Sequence, residues 1–143
     1  MTERTVRQII EGQQPVTAPP TMNVMEAASL MKEHNIGALM VCDGDKLVGV
    51  FTERDALFRV VAAGLPGTTR LADVMTGNPQ TIPPDSGFST ALHIMHDGHF
   101  RHLPVVEDGR LIGIVSVRDA LGPELESFIF ELLRQDQVQE VLA

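Results

Sequence analysis

An α+β fold made of two similar halves is predicted by three features of this 143-residue chain. One unit is written twice, each copy carries the same order of apolar periodicities, and the joint between them has the Gly and Pro of a linker. Gly49 to Leu57 reads GVFTERDAL and Gly113 to Leu121 reads GIVSVRDAL, an offset of 64 residues. The same offset, without a gap, pairs Pro15-Val16-Thr17 with Pro79-Gln80-Thr81, Pro19-Pro20 with Pro83-Pro84, Met31 with Met95, and Leu39-Met40-Val41 with Leu103-Pro104-Val105. Register held over that length marks a duplicated unit.

Each half opens on a short apolar lead-in, Val6 to Ile10 or Leu71 to Met75. An extended piece follows at Thr17 or Thr81, where the next prolines disfavour helix. Val24, Ala27, Ala28, Leu30 and Met31 then recur at helical spacing behind Asn23 and Glu26, a capping box; Phe88, Ala91, Leu92, Ile94 and Met95 repeat the stripe. Two short strands come next, Ala38 to Cys42 and Leu47 to Thr52 around Asp43-Gly44-Asp45, and His102 to Val106 and Leu111 to Ser116 around Asp108-Gly109. A closing helix is expected from Glu53 and from Val117. The repeats span 6–63 and 71–122, with the linker at 64–70. From Gly122-Pro123 a C-terminal amphipathic helix (123–143), carrying Leu125, Phe128, Ile129, Leu132 and Leu133, is expected to lie outside both repeats. Either half alone is too small for a stable core, so the halves should pack about a pseudo-two-fold axis, with clefts between them.

Composition narrows the function. A net charge of −8 argues against nucleic acid, which needs clustered Lys and Arg, and no apolar run is long enough for a membrane span. A single Cys42 excludes an intrachain disulfide framework, and the N-terminus lacks the apolar core of a secretory signal, so a cytoplasmic protein is expected.

The chemistry concentrates where each second strand runs through a glycine into a hydroxyl residue: Gly49 to Thr52, then Arg54-Asp55, and Gly113 to Ser116, then Arg118-Asp119. A strand glycine admits close approach of a ligand or of backbone. Thr or Ser beside the free N–H groups of a helix start suits a phosphate, and an Asp three residues on can bond both hydroxyls of a ribose. The competing reading is that Thr-x-x-Asp and Ser-x-x-Asp are capping boxes and nothing more.

This order of motifs resembles a tandem pair of CBS domains, a Bateman module, over roughly residues 6 to 122. The resemblance implies a β-α-β-β-α unit in each half and clefts that bind adenosine compounds such as AMP, ADP, ATP, NAD or S-adenosylmethionine, with no catalysis by the module. It implies that Asp55 and Asp119 hold ribose, that Thr52 and Ser116 face phosphate, and that Val16-Thr17 and Gln80-Thr81-Ile82 line the adenine slots. Arg54 and Arg118 could reach phosphate or could be solvated surface side chains. Arg101 and His102 open the strand where nucleotide-sensing members carry basic residues. Their counterparts, Gly37 and Ala38, have no cation, so the two clefts should be unequal.

His93, His96, His99 and His102 follow each other at intervals of three, which raises a metal site. The helix should stop near Gly98 and the rings diverge, so no metal is expected, and the first three align with polar surface positions. No Ser/His/Asp order with supporting context, HExxH or P-loop points to an enzyme. Two functions remain: a nucleotide-binding regulatory module acting as a homodimer or on an unidentified effector protein, or a structural dimerisation module with empty clefts.

Overall fold

The structure, a computed structural model, describes residues 3–142, the side chains of 137–142 excepted. It contains α1 (Val6–Ile10), β1 (Thr17–Ala18), α2 (Val24–His34), β2 (Ala38–Asp43), β3 (Lys46–Thr52) and α3 (Glu53–Asp55), which continues as a π-helical segment over Ala56–Val61. The second half adds α4 (Leu71–Val74), β4 (Thr76–Gly77), α5 (Phe88–Gly98), β5 (His102–Glu107) and β6 (Arg110–Ser116). A 3₁₀ turn (Val117–Asp119) and α6 (Gly122–Leu142) complete it. Among the described residues no helix is long and apolar enough to cross a membrane.

The strands form one mixed sheet in the order β1-β2-β3-β6-β5, with β4 on β3, and the halves meet where Lys46 faces Arg110. The hairpins are equivalent in register, each with an irregularity at the same place, Val41/Cys42 and Val105/Val106. Their turns differ. Gly44 alone takes a positive φ in the first, whereas Asp108 and Gly109 both do in the second, the signature of a type I′ turn. Proline explains a second difference: the upstream neighbour of Val105 is Pro104, which has no N–H to donate. Parallel pairing therefore shrinks from two residues at β1 to the single bridge Ile82 to Val105.

The lead-in helices are exchanged between the halves. Val6 and Ile10 of α1 are buried in the second core with Phe88, Leu103 and Val115, while Leu71 and Val74 of α4 join Leu39, Val41 and Phe51 in the first. The initial N–H groups of a helix have no partner within it. Here the opposite half supplies them: Val6 and Arg7 donate to Ser86 and Pro84 at 2.9 and 2.8 Å, and Leu71 and Ala72 to Met22 and Pro20 at 2.8 and 3.0 Å.

This exchange accounts for the two strand glycines. A Cβ on Gly113 would lie 2.7 Å from Cβ of Ile10, and one on Gly49 would overlap the Met75 side chain. The missing side chains admit the swapped lead-ins. Gly113→Ala is therefore expected to cost about 1–3 kcal/mol in urea unfolding, through overpacking against α1.

The closing elements also differ. The first runs on as helix to Val61, but the second stops after one 3₁₀ turn, and Ala120 is extended (φ −68, ψ 131). Pro123 stands where the first half has Arg59, and a proline cannot sit inside a helix begun at Val117. The Asp119 carbonyl, which an N–H at 123 would have capped, takes the Arg4 guanidinium at 2.8 Å. Arg4 also holds Glu124 at 2.5 Å, at the start of α6. Helix α6, which belongs to neither repeat, buries Phe128 in the second core, so this part of its apolar face covers the chain's own surface.

Candidate functional site

Two equivalent junctions bring the motif residues to the space between the halves. The N–H of Glu53 donates to the Gly37 carbonyl at 3.0 Å, and that of Val117 to the Arg101 carbonyl at 3.2 Å. Each motif turn is thus tied back to the start of its own hairpin. Both motifs are capping boxes: Thr52 Oγ1 accepts from the Asp55 N–H at 3.1 Å, Asp55 Oδ2 from the Thr52 N–H at 3.0 Å, and Asp119 Oδ2 from the Ser116 N–H at 2.7 Å.

A cleft of about 800 Å³ lies against these junctions. One wall is a face of α2, Ala28, Met31, Lys32 and Asn35, continued by Ile36, Gly37, Glu53 and Ala56. The other is Arg101, His102, Ser116, Val117 and Arg118. The lining therefore carries three fixed cations, Lys32, Arg101 and Arg118, against one acid, Glu53. Its walls come from both halves, so an occupant would touch both.

Of the residues singled out from sequence, Arg101, His102, Ser116 and Arg118 line this cleft. The rest lie elsewhere. Asp55 is buried, and its second oxygen is 3.5 Å from Arg59 Nε; Thr52 is committed to the cap. Arg54 stacks on Phe58 at 5.0 Å. Val16 packs against the first core, and Thr17, Gln80 and Thr81 are exposed outside the cleft. Asp119 is half-buried beside the lining. The Ile82 side chain lies inside the second core. Its N–H donates to the Pro104 carbonyl at 3.0 Å, and its carbonyl accepts from the Val106 N–H at 3.1 Å. The strand glycines, open from sequence to a ligand or to backbone, admit the lead-in segments: Gly49 lies against Met75 and the Thr76 carbonyl, and Gly113 against Ile10.

Lys32, Asn35 and Glu53 were not singled out. The repeat sets Lys32 and Asn35 beside His96 and His99 as polar surface, and helical periodicity says which face is polar, not what it looks onto. Glu53 had a readable signal, because it aligns with Val117 and breaks the symmetry of the motif.

Burial holds the His102 imidazole below its ordinary value, and the Arg118 guanidinium pushes it further down, against weaker opposition from Glu53. Folding thus withholds a proton that the unfolded chain takes up below about pH 6.5. This contribution to stability is complete above that pH and is lost as the pH falls toward the depressed folded value. A His102→Gln variant should show a shallower drop in urea midpoint between pH 7 and 5 than the parent protein.

The four spaced histidines do not share one site. His93 Nε2 lies 2.5 Å from Glu131 Oε2 on α6, and the rings of His93 and His96 meet the Phe128 ring edge-on at 4.9 and 5.7 Å. These two hold α6 rather than face solvent alone. His99 is the left-handed helix cap (φ 58), as Asn35 is in the first half (φ 52). His102 enters the cleft. Among the described residues no three His, Cys, Asp or Glu side chains gather to hold a metal ion.

The profile of a family described as CBS domain matches residues 6–62 and 71–123. The chain is similar to the CBS domain-containing protein YhcV of Bacillus subtilis (strain 168), 37% identical over 106 residues that cover 74% of this chain and 76% of that protein. Among solved structures it is similar to the CBS-domain containing protein ATU1752 from Agrobacterium tumefaciens, with a TM-score of 0.75 and 35% identity over 81% of this chain and 95% of that one. It is also similar to the CBS domain pair of protein MJ0100 in complex with 5'-methylthioadenosine and S-adenosyl-L-methionine. There the TM-score is 0.73 and the identity 30%, covering 82% and 93% of the two chains.

Proposed function

Since this chain belongs to the CBS domain family, we propose that its cleft binds an adenosine-containing nucleotide, AMP, ADP, ATP or NAD, and that the protein is a regulatory binding module rather than an enzyme. One observation carries the reading: a chain of net charge −8 gathers three fixed cations from both halves around one cleft. Against that overall field, such a concentration is what a phosphate needs. The adenosine compounds held by the MJ0100 pair support the nucleoside part. Arg101 and Arg118 take phosphate, with the Ser116 hydroxyl beside them, and Asp119 offers its second carboxylate oxygen to ribose. A ligand spanning the cleft favours the arrangement of halves that brings these walls to its length, which is the differential affinity a sensor requires.

Calorimetric titration of the protein with AMP, ADP, ATP and NAD tests this. Saturable binding of at least one is expected, and weaker binding in Asp119→Ala. No heat from any of them sinks the reading and leaves the structural module.

A homodimer fits the surface. Leu57, Phe58 and Val61 on the π-helical segment are exposed, as are Leu125, Ile129 and Leu133 along one line of α6. An Ile129→Glu substitution should shift the mass from light scattering toward the monomer. The Cys42 thiol, which burial pushes up, suits a reducing cytoplasm.

A further inference from the structure

The cleft is electrically one-sided, and Glu53 makes it so. The pseudo-two-fold sets Glu53 against Val117 and Gly37 against Arg101. In the second half a cation opens the hairpin beside an apolar residue. In the first half no side chain opens it, and the Glu53 carboxylate folds into that space: a Cβ on Gly37 would sit 3.0 Å from Glu53 Oε1. Glu53 is the one acid lining the cleft among the described residues. Its charge reaches across to the second half, where it acts on His102 along with Arg101 and Arg118.

Three fixed cations stand against Glu53 in the lining and Asp119 beside it, which leaves the site at about +1. A single phosphomonoester carries about −1.5 to −2 at neutral pH, within about one unit of that charge. A di- or triphosphate brings more negative charge than the cleft can match and lays the excess against a carboxylate. We propose that Glu53 is a specificity determinant that limits the cleft to ligands bearing one terminal phosphate, a nucleoside monophosphate in preference to a di- or triphosphate. This rests on the nucleotide reading and adds to it the charge of the ligand.

The test compares AMP with ATP, and separately inorganic phosphate with tripolyphosphate, on the parent protein, Glu53→Gln and Arg101→Ala, by calorimetry at fixed ionic strength. AMP is expected to bind about tenfold tighter than ATP to the parent, and Glu53→Gln to narrow that ratio by about threefold or more, mainly through tighter ATP. The inorganic pair should shift in the same direction, and Arg101→Ala should weaken both, placing them in this cleft. An unchanged ratio, or equal weakening of AMP and ATP in Glu53→Gln, overturns the proposal while the nucleotide reading stands. Discrimination between the inorganic anions that Glu53→Gln relaxes, with no adenosine compound bound, upholds the charge limit and removes the nucleoside. Absence of binding by all four overturns both.

Discussion

Arg101→Ala is expected to weaken nucleotide binding by roughly 10- to 100-fold, the value of a charge-assisted hydrogen bond of about 1.5–3 kcal/mol. Its stability should stay within about 0.5 kcal/mol of the parent, because the exposed guanidinium forms no ion pair among the described residues. The one bond Arg101 makes to hold the motif turn uses its backbone carbonyl, which alanine keeps. Arg110→Ala is the matched control: Arg110 is an exposed cation 3.1 Å from Asp45 and lies outside the cleft lining. Calorimetry on both variants reads the difference directly. Equal affinity in Arg101→Ala and the parent removes phosphate from that end of the cleft, whatever else the cleft holds.

Ile10→Ala should lower stability by about 2–5 kcal/mol, the usual cost of truncating a large buried aliphatic side chain. The location of the damage matters more than its size. Ile10 sits in the second core, against Gly113 on β6. Faster amide hydrogen exchange is therefore expected in β5 and β6, nearly a hundred residues along the chain. Leu71→Ala should do the reverse and loosen β2 and β3, since Leu71 is buried in the first core. If each lead-in stabilised the half that follows it in sequence, the two exchange patterns would be swapped. The pair of variants separates these cases with one measurement.

Much of the secondary structure is legible because its causes are local. The two hairpins follow from short apolar runs broken by Gly44 and by Asp108-Gly109, and α2 from an apolar stripe behind Asn23, whose side chain accepts the Glu26 N–H at 2.8 Å. The differences between the halves are legible too, once proline is read for what it lacks. Pro104 shortens the parallel pairing at Ile82, and Pro123 ends the second closing helix. The duplicated Thr-x-x-Asp and Ser-x-x-Asp motifs are visible at once, but a capping box and a ribose site use the same atoms. Only the committed oxygens of Asp55 show how much of that motif is already spent at home.

The chain by itself determined that there are two like units, where each turns, and that Arg101-His102 has no cationic counterpart at Gly37-Ala38. Tertiary structure alone decided which core each lead-in enters. Val6 to Ile10 and Leu71 to Met75 show only that one helical face must be buried, and burial is not directional: an apolar stripe is stabilised by any apolar surface that fits. The choice falls to geometry, through the glycines that leave room on β3 and β6 and the carbonyls of the opposite half that satisfy the helix starts. The same holds for the cleft. Lys32, Asn35 and Glu53 are ordinary polar surface in sequence, and they become a binding wall only because the pseudo-two-fold sets the second half's Arg101 and Arg118 across from them.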